Sequence, residues 1–233
     1  MQFSIGFDTL IINNRFYSED DLSKLFELFV PIGIKNFVFL FEFDLANTNL
    51  LRVNNKISAL EALLSTITPR GVHTTVKPEL IFDSGVSSNS DISKLYASRS
   101  KRSLFVELPI FPPTDDNGFA TDLNRLIYRS SSFPIFTSFH NIVETAPEDF
   151  TTRLLSTTSG FGFDLNYLLR TDRKELVSTL INNNSLILPM ISHELANYVG
   201  IVNEVSHFKE TYGKTEYYKL CSLINRCASK AGL

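Results

Sequence analysis

Gly160-Phe161-Gly162-Phe163-Asp164-Leu165-Asn166-Tyr167-Leu168-Leu169 is the stretch whose reading decides the fold. Successive strand side chains point to opposite faces. One face of this segment therefore carries Gly160, Gly162, Asp164 and Asn166, and the other carries Phe161, Phe163, Leu165 and Tyr167. A strand that is small and polar on one side and bulky on the other suits a closed barrel. Its bulky face meets an outer helix, and its small face looks into a crowded interior.

Working outward, the same pattern recurs. Towards the N-terminus, Pro134 to Ile142, Leu104 to Phe111, Val72 to Phe82, Phe37 to Phe43 and Phe3 to Ile12 each read as strands. Towards the C-terminus, Leu186 to Ser192 reads as a seventh. Phe37, Phe39, Phe41 and Phe43 alternate with Val38, Leu40 and Glu42, and His73, Thr75, Lys77 and Glu79 share one face of the third strand.

Between strands the apolar period changes to that of a helix. Ser18 followed by Glu19, Asp20 and Asp21 is a capped, acidic helix start, with Leu22, Leu25, Phe26, Phe29 and Val30 at helical spacing behind it. Further helices are expected over about 56–67, 92–98, 119–128, 145–155 and 172–181, and two more close the chain on either side of Gly213. Strand-helix alternation with short connections implies a parallel sheet. The expected fold is α/β: a single (β/α)7 TIM-like barrel with an extra C-terminal helix, in one domain spanning residues 1–233.

Composition narrows the function classes. With 43% hydrophobic and 20% charged residues, the chain has the make-up of an ordinary globular protein. A formal charge of −3 gives no overall basic field for nucleic acid or membrane. No basic segment followed by a long apolar run marks a signal peptide, and no stretch reaches membrane-spanning length. A cytoplasmic or nuclear location is expected, with no membrane partner. Cys221 and Cys227 lie six residues apart in a helical-looking tail, about 240° of rotation, so they are not expected to bridge.

In barrels of this kind functional groups sit at the C-terminal ends of strands. That rule collects Asp8, Glu42, Glu79, Glu107, His140, Asp164 with Asn166, and His193. Asp8, Glu42, Glu79, Glu107 and His193 form an expected oxygen-rich metal set suited to divalent ions, able to activate water against a phosphoester. Acids at strand ends are also common on any protein surface. The densest basic cluster is Arg99, Lys101 and Arg102, with Arg170 and Arg173 following the sixth strand. Glycine-rich phosphate loops, nucleophile elbows and paired-histidine zinc motifs do not occur.

The sequence resembles the PHP (polymerase and histidinol phosphatase) superfamily. That family holds metals with His-x-His on the first strand and a terminal Asp-x-His. Here the first reads Gly6-Phe7-Asp8 and the last Ile191-Ser192-His193, so His193 is the match, with Glu79 at the place of a bridging Glu. The sequence is more similar to a branch that also lacks the histidines, the PHP-like barrel protein subunit of ribonuclease P. The resemblance is carried by Phe163-Asp164-Leu165-Asn166-Tyr167 with Arg170 and Arg173 behind it, by Pro109 after the fourth strand, and by the basic run from Ser98 to Ser103. A similar run, Glu107-Leu108-Pro109, also occurs in bacterial PHP-type tyrosine phosphatases.

This resemblance implies a PHP-type barrel acting as a non-catalytic RNA- and protein-binding subunit in tRNA processing. RNA and another protein subunit would be its partners, it would need no cofactor, and Arg99, Lys101, Arg102, Arg170 and Arg173 would meet RNA phosphates. The alternative is a metal-dependent phosphoesterase using manganese or magnesium at the carboxylate-rich set, with a small phosphoester as substrate.

Overall fold

The computed structural model describes residues 4–14, 17–43, 50–81, 104–107, 135–139, 160–164, 187–192 and 201–231. These contain β1 (Thr9–Asn14), α1 (Glu19–Phe29), β2 (Asn36–Phe43), α2 (Leu50–Ile67), β3 (His73–Ile81), β4 (Leu104–Glu107), β5 (Ile135–Phe139), β6 (Gly160–Asp164), β7 (Ile187–Ser192), α3 (Ile201–Tyr212) and α4 (Lys214–Ala231). All strand pairs are parallel and follow chain order, and β7 pairs back onto β1 through Ile11↔Met190, Ile12↔Ile191 and Asn13↔Ser192.

The expected complete (β/α)7 TIM-like barrel of the PHP type is corrected by this structure. Among the described residues four helices are present, α1 after β1, α2 after β2, and α3 and α4 after β7. The part built in full is the three-stranded parallel sheet β1-β2-β3 with those four helices. The helices expected over 92–98, 119–128, 145–155 and 172–181 lie outside the described residues. The physical reason is that strand alternation reports pairing and burial. Parallel strands need a crossover of a dozen or more residues, but strand pattern does not dictate what that crossover contains.

Why β1-β2-β3 forms is visible in its burial. Leu10, Ile12, Phe37, Phe39 and Val76 are buried on one face, and Ile11, Val38 and Leu40 on the other. A parallel sheet covered on both sides reads as a near-continuous apolar run, which is what Phe37-Val38-Phe39-Leu40-Phe41 supplies. Helix α1 covers the first of these faces. Phe26 stands edge-on to Phe37 and Phe39, with ring centroids 5.1 and 6.4 Å away. Helix α2 covers the same face further along, with Lys56 Nζ 5.8 Å above the Phe41 ring.

The entry to α1 is fixed by Ser18, whose hydroxyl oxygen accepts the Asp21 N–H at 3.2 Å, beside an acidic first turn. Just before it, the Tyr17 hydroxyl lies within hydrogen-bond distance of both the Ile12 and the Leu40 carbonyls, tying β1 to β2. At the other end of the chain Gly213 takes φ +91 and separates α3 from α4. That left-handed backbone costs a glycine little. Phe208 of α3 then packs on Tyr217 of α4, with centroids 5.7 Å apart.

Strand β1 starts later than its alternation predicts, at Thr9 rather than Phe3. Ile5 and Phe7 are buried and Ser4, Gly6 and Asp8 exposed, so the alternation itself holds. What interrupts the strand is Gly6, at φ +93, outside the region that continues a ladder.

Candidate functional site

The late start of β1 changes the geometry of the expected metal set. Asp8 immediately precedes the strand and is exposed. Its carbonyl accepts the N–H groups of Lys35 and Asn36 at 2.8 and 2.9 Å, and its carboxylate accepts the Thr9 hydroxyl at 3.0 Å. Thr9 pairs with Asn36, and Asn36 with His73, the first residues of their strands. Asp8 therefore sits at the N-terminal end of the sheet.

Glu42 and Glu79 are register partners near the C-terminal ends of β2 and β3. Glu107 closes β4, paired with Ile81. Backbone positions alone are described for these three glutamates. At about 3.3 Å per residue, the run of β2 from Asn36 to Glu42 spans about 20 Å. That distance keeps Asp8 from sharing one ion with Glu42 and Glu79. His193, the remaining member of the set, lies outside the described residues, as do His140, Asn166, Arg99, Lys101, Arg102, Arg170 and Arg173. Asp164 ends β6. Among the described residues no group of three or more His, Cys, Asp or Glu side chains is arranged to hold a metal ion. Nor is any helix among them long and apolar enough to cross a membrane.

Two features of the structure have no clear signature in the sequence. The first is Lys77, only 4% exposed on β3. Alternation places it on one face with Glu79, but nothing in a lone strand says how deeply that face is buried.

The second is a polar fastening at the N-terminal end of the sheet. Helix α4 presents Tyr217, Cys221 and Asn225 to the segment ahead of β1. The Tyr217 hydroxyl and the Cys221 thiol, 3.7 Å away, both donate to the Ile5 carbonyl, and the Asn225 amide donates to the Gly6 carbonyl at 3.4 Å. Lys209 Nζ lies 4.5 Å over the Tyr217 ring. Gly6 permits this approach, because a Cβ there would stand 3.0 Å from Cys221 Sγ.

Burial sets the chemistry of this cluster. It pushes the Cys221 thiol up to about 11, with the Tyr217 hydrogen bond pulling partly the other way. It also raises the Tyr217 phenol well above its ordinary range. Both groups are thus neutral at physiological pH, and the thiol lacks the thiolate character of a nucleophile. The cluster is a fastening rather than a reaction centre. Its pH signature follows from linkage. The folded state holds the Cys221 proton more tightly than the unfolded chain, so this stability is complete below pH 9 and is lost as pH rises from about 9 through about 11. Chemical denaturation of the wild type is expected to show a decline on the order of 2 kcal/mol over that window. The Cys221→Ala variant should show a shallower one, and identical slopes would contradict the burial of the thiol.

No protein-family model matches this chain, and no curated protein matches it.

Proposed function

We propose that this protein is a non-catalytic RNA- and protein-binding subunit, of the kind implied by its sequence resemblance to the ribonuclease P protein. The observation that carries this reading is the run Phe163-Asp164-Leu165-Asn166-Tyr167 with Arg170 and Arg173 behind it. The basic cluster Arg99, Lys101 and Arg102 adds cations of the type that meet phosphate oxygens, which position an RNA rather than read its sequence. Such a role needs no cofactor. The position of Asp8, at the far end of the sheet from Glu42 and Glu79, weighs against the metal-dependent phosphoesterase alternative.

The test is binding of a structured precursor tRNA, followed by fluorescence anisotropy across a salt series. Reversing Arg99, Lys101 and Arg102 together to glutamate is expected to weaken binding by at least about tenfold. It should also flatten the salt dependence by roughly 0.7–0.9 in log-log slope for each phosphate that is no longer neutralised. An affinity that is insensitive to salt and unchanged by the triple reversal would rule out RNA binding through this cluster.

A further inference from the structure

Helix α4 has two faces of opposite character. Tyr217, Leu220, Cys221, Ile224 and Ala228 are buried at helical spacing, and Tyr217 and Cys221 fasten to the Ile5 carbonyl. Thr215, Tyr218, Lys219, Ser222, Arg226 and Ser229 are exposed on the other side. Seven residues are close to two helical turns. Thr215, Ser222 and Ser229 therefore form a stripe about 21 Å long, with Tyr218 beside it and Lys219 and Arg226 along its edge at the same step.

The charge of this helix runs against that of the chain. Residues 214–231 carry Lys214, Lys219, Arg226 and Lys230 against one carboxylate, Glu216, while the formal charge of the whole protein is −3. Lys219 Nζ meets Glu216 at 2.8 Å, but side-chain exposures of 55% and 40% make that a solvated pair of small worth. A phosphate can take the place of the carboxylate. Tyr218 is 63% exposed, a large ring held out among hydroxyls and cations.

These groups select a partner by chemistry. Hydroxyls and cations are the side chains that contact phosphate oxygens, and a ring beside them offers a stacking surface to any base. A duplex hides the faces of its bases, whereas a single strand can splay them out. An apolar protein partner would find no continuous apolar surface on this side of α4. The buried side contributes rigidity: with α4 already fastened to the segment ahead of β1, binding has little backbone left to order.

We propose that the outer face of α4 receives single-stranded RNA, with Tyr218 as the ring on which a base stacks and Lys219 and Arg226 as phosphate contacts. The proposal rests on the RNA-binding reading for its partner, and assigns that partner a surface far along the chain from Arg99, Lys101 and Arg102.

The experiment is fluorescence anisotropy of the full chain with a labelled single-stranded oligouridylate, run beside the precursor tRNA. Tyr218→Ala is expected to weaken oligouridylate binding by about fivefold to a hundredfold, the range for one lost base stack, and Tyr218→Phe, which keeps the ring, should bind as the wild type does. Lys219→Gln combined with Arg226→Gln should lower the log-log salt slope by about 1.4, the share of two phosphates on a single strand. Because Tyr218 is exposed, the urea midpoint of Tyr218→Ala should match that of the wild type, which separates a lost contact from a lost fold. Oligouridylate binding that is absent, or indifferent to these substitutions, would overturn the α4 surface. If the precursor tRNA is still bound in that case, the RNA-binding reading survives. A wild type that binds neither RNA would refute both. Binding of phosphatidylserine vesicles through Lys219 and Arg226, with no oligouridylate bound, would overturn the proposal in favour of a membrane surface.

Discussion

Replacing Phe39 with alanine is expected to destabilise the protein by about 3–5 kcal/mol. Phe39 has no exposed surface. Its ring stacks beside Phe37 at 6.3 Å and meets Tyr17 and Phe26 edge-on at 5.3 and 6.4 Å. It thus joins three units at once: β2, helix α1, and the Tyr17 link that ties β1 to β2. Edge-to-face rings add about 0.5–1.5 kcal/mol beyond the area they bury. Truncation also leaves a cavity between a helix and a sheet that relax only partly. Domains of ordinary size are stable by about 5–15 kcal/mol, so this one change removes a large share. Urea unfolding of the purified variant measures it. A loss below about 1 kcal/mol would mean that α1 does not pack tightly on β2. Phe39→Leu, which keeps most of the volume, should cost less than half as much.

The second large effect is expected at Tyr217. Tyr217→Ala removes a ring only 1% exposed, packed against Phe208 and lying beneath Lys209, and should also cost about 3–5 kcal/mol. Tyr217→Phe separates packing from polarity. It keeps the ring but leaves the Ile5 carbonyl with the weaker Cys221 thiol as its partner. The expected cost is about 1–2 kcal/mol, the range for a buried acceptor that loses its main donor. Hydrogen exchange provides the decisive readout. Both variants should speed exchange at the Ile5 amide, which donates to Ile32 at 2.8 Å, while amides within α2 remain protected. Equal acceleration everywhere would mean that the fastening acts on global stability alone.

How much of this is legible in the sequence depends on the range of the interactions involved. Strand β2 is readable because Phe37, Phe39 and Phe41 alternate over a full strand length and both faces are buried. The cap at Ser18 and the break at Gly213 are readable because each is decided within a few residues. Asp8 is misplaced by the pattern because alternation persists through an extended segment whether or not it pairs in a ladder, and the conformation of Gly6 that ends the ladder is not a pattern. Helix α1 is readable from the apolar spacing of Leu22, Leu25, Phe26 and Phe29, whereas the helices expected over 92–98, 119–128, 145–155 and 172–181 lie outside the described residues. The burial of Lys77 depends on which elements cover its face. The Tyr217 fastening joins groups 212 residues apart, far outside any window that a periodicity can sample.

That separation has a consequence for how the chain is made. During translation β2 follows β1 closely, but the other edge of β1 is matched by β7, and the Ile5 carbonyl by α4. At about 5–20 residues per second, the ribosome needs about 10–40 s to supply Tyr217 after Ile5. For most of that interval, until β7 is made, the nascent protein carries an apolar strand with one unpaired edge, the kind of template on which chains aggregate. Output of the folded protein should respond to elongation rate more than its equilibrium stability would indicate.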